Sequence, residues 1–582
     1  MEVAEYSDLV RTLLARRGVE TEEGIAAFLK PDYDLHTHDP FLLQGMDRAV
    51  ARIFSAIAAG ERIAIYADFD CDGIPGAALL SDLFRKIAYT NMEVYLPHRD
   101  REGYGFHTAA IATLAERGVT LIITIDVGTT AFDAVQFAKE KGVDVIVTDH
   151  HEIMRTVPEA FAVLNPKLAP PALSSTLRDE PSGSDSNESG VEGYPFPHLC
   201  GAAVAFKLAQ ALLIEGKQKG LEAFTKIPEG WEKWLLDMVA IATVADMVPL
   251  IGENRVLAHW GLAVLRKSPR PGIRALCKKL RLSQRELTED DIGFSIAPRI
   301  NAASRMGEPD LAFKLLTTDD ALEAEALALQ LEKLNASRKG VVAGIVKQAR
   351  LHANQRFTPS DRVVVLGNPE WKPALLGLAA NSIMGERGGV VCLWGRDANG
   401  NLKGSCRSDG SVSLSDLFAN SGDVFQEYGG HKASGGFSVS HERVHHLPEA
   451  LRKAAEGLAR RGPEEEAFEY DSLLTLSEVG GMLYKDVSML APFGMGNPKP
   501  VFRIDGATVT GVRRFGRENN HIEVMLECSR TGAASRAFDF FKSPEDFSLA
   551  PTPGLAASLL ATLERDSFRG GLALRIVDVI PA

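Results

Sequence analysis

The chain of 582 residues lacks several features that would narrow its function at once. It has only six cysteines, at 71, 200, 277, 392, 406 and 528, and no C-x-x-C pair, so neither a zinc ribbon nor a disulfide framework is expected and the thiols read as reduced. No apolar run reaches the length of a membrane span, and the opening MEVAEYSDLV lacks the basic-then-apolar order of a signal peptide. A cytoplasmic protein is therefore expected. A phosphate-binding G-x-x-x-x-G-K-[ST] loop, a G-x-S-x-G nucleophile turn and an internal repeat are all missing. The zinc-protease pattern H-E-x-x-H fails as well, because HHEIMR carries Arg155 where the second histidine belongs. Positive net charge is also lacking. At −13 the chain does not advertise a nucleic-acid partner, although between Arg255 and Arg305 eleven Lys or Arg stand against four acids, a local +7. That stretch fits a basic patch or plain solvated helix faces equally well.

What is present is a globular composition, 45% hydrophobic and 24% charged, with enough chain for three or four domains. From residue 62 to 150, Val/Ile/Leu runs (RIAIYADFD, EVYLP, LIITID, DVIVTDH) alternate with amphipathic segments, the pattern of a parallel sheet covered on both faces. Such sheets bind ligands beyond the carboxyl ends of their strands. Asp68, Asp70 and Asp72, then Asp126, then Asp149, His150 and His151 all fall at that edge. Alternate side chains of an extended segment share a face, so the carboxylates of DFDCD converge, and without a cation at least one of them must protonate. D-x-D-x-D-G also opens a calcium loop, but its twelfth position from Asp68 is Leu79 and a strand precedes it, which excludes an EF-hand. An acidic turn capping the next helix remains a bland alternative. Asp246 closes the apolar helix WLLDMVAIATVAD, a place that also suits a simple cap. Asp and His without cysteine favour Mn²⁺ or Mg²⁺, and about four carboxylates with a histidine suit two metals working on a phosphate ester.

Residues 168–197 are rich in Pro, Ser, Gly and acids and read as a mobile surface insertion. A long helix is expected over 319–355, then a new α/β pattern with the Gly-rich stretches GSCRSDGS and YGGHKASGG. Past the charged hinge RRGPEEEAFEYD, strand and turn spacing suits a small barrel.

Here YADFDCDG, IDVGTTA, TDHH and ATVADMVPL resemble the first four motifs of the DHH phosphoesterases. IGFSIAPRINAASRMG, GSCRSDGS, YGGHKASGG and LAPFGMGNPKPVF are similar to the longer pattern of the RecJ family of single-strand-specific DNA exonucleases, from about residue 9 to the C-terminus. The resemblance implies an α/β protein. It would comprise an N-terminal segment 1–60 packing on a parallel-sheet DHH domain 61–318, a connecting helix 319–355, a DHHA1-type α/β domain 356–462 and an OB-like barrel 465–582. It implies two divalent cations, Mn²⁺ or Mg²⁺, on Asp70, Asp72, Asp126, His150 and Asp246, with Asp126 bridging. Asp68, His151 and His431 would assist catalysis. Substrate would be held by Arg299, Asn301, Arg305, Ser405, Arg407, Ser408, Gly429 and Gly430, an arginine fork suiting a terminal 5′-phosphate. The barrel would hold single-stranded DNA by stacking and by basic side chains such as Arg513, Arg514 and Arg517. The implied activity is 5′→3′ degradation of single-stranded DNA to mononucleotides in repair and recombination, by a cytoplasmic monomer with single-strand-binding protein and a RecQ-type helicase as partners. Two other readings compete: a phosphodiesterase for short oligonucleotides or cyclic dinucleotides, and a replication scaffold that has lost its metals. The chain departs from the family pattern at Val127, Ser304, Lys372 and Ala374, and Tyr66 stands where small pyrophosphatases of the superfamily have a ligand histidine.

Overall fold

In a computed structural model, residues 6–154, 156–168, 193–358, 360–458, 469–516, 519–566 and 570–582 are described. They fall into two units, built from 38–248 with 260–465 and from 1–37 with 249–259 and 466–582.

The first unit opens with the parallel sheet that the apolar runs imply. Strands β1 (Arg62–Ala67), β2 (Met92–Tyr95), β3 (Val119–Ile125), β4 (Asp144–Thr148) and β5 (Ala162–Leu164) lie in the order β2-β1-β3-β4-β5, every pairing parallel. Ile63, Ile65, Ile123 and Ile146 are fully buried, as strands covered on both faces require. A second sheet follows: β6 (Val363–Gly367), β7 (Val390–Arg396), β8 (Leu402–Ser408), β9 (Glu427–Gly430) and β10 (Ser434–Val439), ordered β6-β7-β8-β10-β9. The helix Ala321–Arg356 runs between them, started by the Asp320 carboxylate, which accepts from the backbone N–H of Leu322 and Glu323. Its second half carries Ile345, Val346, Ala349 and Ala353 into one core with Leu366, Leu393 and Leu375.

In the second unit, β12 (Phe502–Phe515), β13 (His521–Glu527), β14 (Ala534–Phe540), β15 (Ala556–Arg565) and β16 (Leu572–Pro581) close into a five-stranded barrel through the pairing of β12 with β15. The short β11 (Ser472–Thr475) runs parallel to β12 outside it. Closure removes the sheet edges, which lets a small barrel stand with a core of Phe502, Ile504, Val524, Leu559 and Leu574.

Two expectations change. Residues 1–37 do not join the first domain, because Leu13 of the helix Asp8–Ala15 is part of the barrel's core, with Leu9 and Phe28 against it. An amphipathic stripe announces that a helix is covered but not by what. In the basic stretch 255–305, Lys267, Arg274, Lys278, Lys279, Arg281 and Arg285 are exposed, while two arginines are taken up inside the protein. Arg255 is buried and donates to the carbonyls of Phe28, Leu490 and Ala491, while Arg270 is ion-paired to both Asp82 and Asp237. Cys392 and Cys406 are not separate thiols. They face each other across β7 and β8 with Cα atoms 4.1 Å apart and form a disulfide. A spacing of fourteen residues, set by strand register, gave no local sign of it. The insertion read at 168–197 lies outside the described residues from 169 to 192, and the hinge from 459 to 468 does so throughout.

Candidate metal centre and substrate face

Three parallel strands end side by side, and each delivers its acids there because the chain must turn away at that edge. After β1 the DFDCD segment curls back on itself so tightly that a Cβ on Gly73 would lie 2.3 Å from the Asp68 carbonyl oxygen; only glycine fits. Asp126, just past β3, sits at φ +59°, a left-handed conformation that costs an aspartate about 1–2 kcal/mol. Beyond β4 stand Asp149, His150 and His151. A fourth element, the helix Gly201–Gln218, points its N-terminus inward: its Gly201 and Ala202 N–H groups donate to the two Asp72 oxygens at 2.6 and 2.7 Å. The positive end of that helix helps hold the carboxylate ionised. Asp246, at the carboxyl end of the helix Leu236–Ala245, completes the ring.

His150 is at the centre. Its Nε2 lies 3.2 Å from Asp126 Oδ1 and 3.6 Å from both Asp72 Oδ2 and Asp246 Oδ2. Three overlapping groups, Asp68 with Asp70 and Asp126, Asp72 with His150 and Asp246, and Asp126 with His150 and His151, each bring three donor atoms within 4.8 Å of one another. Asp126 and His150 each belong to two of them. Asp68 takes a ligand-like place beside Asp70.

The electrostatics give the same answer as the geometry. Asp68 Oδ1 and Asp126 Oδ1 are buried with no hydrogen-bond partner. Burial, then the neighbouring carboxylates, pushes Asp68 and Asp126 well above the usual carboxylate range, Asp72 to about 7 and Asp246 to about 8. His150 is pushed down to about 4, chiefly by burial and then by His151. A neutral imidazole among carboxylates that resist ionising is a donor set short of positive charge, and divalent cations fit it. Cys71 and Cys200 lie close by, yet burial and the same acids raise both thiols far above their ordinary value, so no thiolate competes.

His151 differs from His150. Asp149 Oδ1 lies 2.7 Å from its Nδ1, and although burial opposes it, that carboxylate raises the imidazole's pKa. The Tyr104 hydroxyl lies 3.2 Å from His151 Nε2 and donates to the Asp126 carbonyl at 3.3 Å. Asp149 also accepts from the Thr129 N–H. A charged or proton-sharing His151, oriented from one side by Asp149, suits contact with a phosphate oxygen or a leaving group.

The cationic face gathers from several elements: Arg407 from the second sheet, Arg305 from the end of the helix Ala297–Arg305, Arg338 from the long helix and Arg99 from beyond β2. Arg305 donates to the Ala374 carbonyl at 2.7 Å, and burial followed by the charges of Arg99, Arg338 and Arg407 pushes its guanidinium down to about 9, with Asp70 opposing. Arg407, on β8, is held by its Nη1 on the Cys406 carbonyl, and burial lowers it too. Gly377 makes room for it, since a Cβ there would meet Nη2 at 2.6 Å. Arg305, whose guanidinium feels Arg99, Arg338 and Arg407 as well as Asp70, is the centre of a cationic socket for an anion beside the metal centre.

Other expected substrate residues fare differently. Arg299 is committed to Glu332 at 2.9 Å and to the Ser295 carbonyl, which leaves Arg305 as the arginine of APRINAASR in the socket. Asn301 Oδ1 accepts from the Cys71 N–H and so braces the DFDCD loop rather than a substrate. Ser408 is buried and its hydroxyl donates to the Val412 carbonyl, closing a turn. Ser405 lies on β8, two residues before Arg407. Gly429 and Gly430 are exposed on β9, with open space around Gly429. His431 follows them. Glu152, the neighbour of His151, has its carboxyl lowered mainly by Lys167 and in part by His431, so the two domains meet near the metal centre there. Arg99, Tyr104 and Arg338 had not been singled out. Arg99 and Tyr104 lie past the carboxyl end of β2, where the ligand-edge rule could have found them. Arg338 carried no signal.

The family departures leave the ligands untouched. Tyr66 is buried and its hydroxyl donates to the Gly105 carbonyl, supporting the loop that bears Tyr104. Ser304 is buried and satisfies its hydroxyl on the Asn301 carbonyl. Lys372 occupies the N-cap of the helix Pro373–Arg387.

A Cβ at Gly201 would lie 2.6 Å from Asp126 Cβ and 3.0 Å from Asp72 Oδ2. Gly201→Ala is expected to lower turnover at least tenfold while costing about 1–3 kcal/mol of stability, as overpacking does. Turnover with Mn²⁺ and a denaturant titration check both halves.

Residues 62–243 match the DHH family, N-terminal domain, residues 360–459 the DHHA1 domain and residues 470–578 the RecJ OB domain. The single-stranded-DNA-specific exonuclease RecJ of Haemophilus influenzae is 30% identical over 554 residues, covering 93% of this chain and 91% of its own length. The chain belongs to the RecJ family. RecJ of Bacillus subtilis is 33% identical over 90% of this chain, which spans only 62% of that relative. The crystal structure of RecJ from Thermus thermophilus in complex with Mn²⁺ superposes with a TM-score of 0.75 at 26% identity, covering 99% of this chain and 76% of that one. The same protein in complex with Mg²⁺ gives 0.70 over all of this chain. Among the described residues no helix is long and apolar enough to cross a membrane.

Proposed function

We propose that the chain is a divalent-metal-dependent exonuclease that degrades single-stranded DNA from the 5′ end to mononucleotides, in DNA repair and recombination in the cytoplasm. The observation that carries this reading is the pairing of one crowded Asp/His centre with a guanidinium socket beside it. Asp68, Asp70, Asp72, Asp126, His150 and Asp246 would hold two divalent cations, Mn²⁺ or Mg²⁺. When bound, these supply the charge that makes a water acidic enough to attack phosphorus and that offsets charge on the phosphate oxygens. The chain's own groups do the rest. Asp126 fixes the spacing of the two sites, and the Gly201 and Ala202 N–H groups keep Asp72 oriented as a carboxylate. Asp149 holds His151 toward the phosphate, where its far nitrogen can donate to an oxygen or to the departing 3′ oxygen. Arg305 and Arg407 take the terminal 5′-phosphate, which carries more charge than an internal one, and so set the end from which the strand is read. His431, which follows β9, would assist catalysis. Single-strand-binding protein and a RecQ-type helicase, which cover and produce such strands, are the partners this role implies.

The intact ligand set argues against an inactive scaffold, and the RecJ-type barrel argues against a phosphodiesterase for cyclic dinucleotides. With Mn²⁺ the protein should release mononucleotides from single strands at least a hundredfold faster than from a blunt duplex of the same sequence, a gap of about 2.7 kcal/mol in the barrier. It should stop in EDTA. Comparable rates on both, or faster turnover of a cyclic dinucleotide, would contradict the proposal.

A further inference from the structure

On the barrel, Arg513 and Arg514 are paired to Glu523 and Glu545, and Arg517 lies outside the described residues. An uncommitted cation lies instead in the first unit, at a cavity of about 560 Å³ away from the metal centre. Two helices of the metal centre run to it. The helix Gly73–Lys86 starts at Asp72 and ends at the cavity with Arg85 and Lys86, while the helix Leu236–Ala245 starts beside the cavity and ends at Asp246. Fourteen residues of helix set the cavity about 20 Å from the DFDCD loop.

The floor of the cavity is satisfied within itself. Arg270 pairs with Asp82 at 2.6 Å and with Asp237 at 2.8 Å, the Ser268 hydroxyl donates to Asp237, and Arg270 donates to the Leu316 carbonyl as well. The two carboxylates are 16% and 1% exposed, so they show a ligand almost no negative charge. The wall is apolar, made by Trp231, Trp234, Pro269, Pro271 and Leu316. None of the described lining residues is on a strand, so the cavity offers no sheet edge along which a peptide could extend.

The rim is where a partner is missing. Trp234 is 47% exposed and, among the described residues, has neither a ring partner nor a hydrogen bond. The Lys86 ammonium lies 5.6 Å from the Trp231 ring centroid and has no carboxylate partner among the described residues. Arg85 donates to the Thr317 carbonyl and pairs with Asp319 at 3.0 Å and Asp82 at 3.8 Å. The Asp319 side chain is 84% exposed, and so open a pair is worth about 0–1 kcal/mol, which a stronger anion outcompetes. Two cations thus stand against one yielding carboxylate, beside a half-open indole.

A flat apolar face next to surplus positive charge calls for a flat ring that carries negative charge, and the volume falls within the range of about 300–1,000 Å³ common to small-molecule sites. We propose that this cavity is a second nucleotide site, taking a nucleoside 5′-monophosphate with its base on Trp234 and its phosphate on Lys86 and Arg85. The inference rests on the exonuclease reading for the source of that ligand, the mononucleotide product. It adds a place where product is held apart from the metal centre, against the far ends of the helices that present Asp72 and Asp246.

The test is isothermal titration calorimetry of thymidine 5′-monophosphate into the full chain in EDTA, which keeps the metal centre from taking the phosphate. Wild type should bind with a Kd below about 1 mM, and Lys86→Glu and Trp234→Ala should each weaken binding about tenfold or more. Both side chains are exposed, so neither substitution disturbs the core. Trp234→Phe keeps a ring at the wall and should retain most of the affinity. Arg407→Ala, which alters the socket beside the metal centre, should leave Kd unchanged. Thymidine and inorganic phosphate each carry half of the ligand and should bind about tenfold more weakly than the nucleotide, or worse. No binding by wild type at millimolar nucleotide, equal Kd in wild type and both cavity variants, or loss of binding in Arg407→Ala alone overturns the proposal. Wild type that takes a short peptide of aspartate and phenylalanine in place of the nucleotide gives the cavity to a protein segment and overturns it too. The exonuclease reading is judged separately. Wild type that degrades single strands with Mn²⁺ yet takes no nucleotide loses only the second site, whereas wild type that binds the nucleotide through Lys86 and Trp234 without degrading DNA keeps the site and loses the exonuclease reading.

Discussion

Replacing Asp126 with alanine should lower turnover with Mn²⁺ by three orders of magnitude or more, about 4 kcal/mol in the barrier, and leave the fold intact. The carboxylate belongs to two donor groups at once, and its Oδ1 lies 3.2 Å from the His150 nitrogen with no hydrogen-bond donor to satisfy it. Its loss would take away the carboxylate that those two groups share. In the absence of metal the same residue is a burden, since it is buried beside Asp72, Asp70 and Asp68, which with burial itself keep its pKa well above the ordinary value. The variant should therefore melt no lower than wild type in EDTA and fail to gain the stabilisation that Mn²⁺ gives wild type. A residual rate of a tenth would amount to only about 1.4 kcal/mol and would show that the bridge is elsewhere.

Arg407→Ala should act on end chemistry rather than on hydrolysis. The Arg407 guanidinium is anchored on its own strand, given space by Gly377, and lies near enough to Arg305 that its charge helps lower the Arg305 guanidinium. An anion with two charges relieves that repulsion better than one with a single charge. Wild type should thus prefer a 5′-phosphate over a 5′-hydroxyl end, and the variant should lose about ten- to a hundredfold of that preference, as expected for one or two charge-assisted hydrogen bonds of about 1.5–3 kcal/mol each. The comparison is kcat/KM for the two ends at fixed Mn²⁺ and salt. A uniform slowing of both substrates would make Arg407 a general binding residue and remove it from end reading.

The metal centre was legible because its signals are local. A strand's apolar run ends where its ligand edge begins, so Asp68, Asp70, Asp72, Asp126 and His150 could be placed from sequence order alone. Asp246, at a helix end, gained its meaning from the family motif. The second sheet was legible only in outline. GSCRSDGS pointed to a phosphate loop, but which of its members face substrate depends on strand register: Arg407 reaches the socket while Ser408, one residue on, turns inward to Val412. Likewise Arg299 and Arg305 both looked available, and only the packing of the long helix, which carries Glu332, separates them. Contacts between distant segments were out of reach. Leu13 in the barrel core and the Cys392–Cys406 bridge each join residues whose neighbours in sequence say nothing about the partner.

The central claim is that a single metal centre and an adjoining arginine socket make this chain a 5′-end nuclease for single strands. It is tested most directly with one strand, labelled at the 5′ end in one sample and at the 3′ end in another, each incubated with purified protein and Mn²⁺. The account expects the 5′ label to appear at once as a mononucleotide, while the 3′ label stays on a strand that shortens progressively. Immediate release of the 3′ label, or internal cuts that free both labels in long fragments, would contradict it.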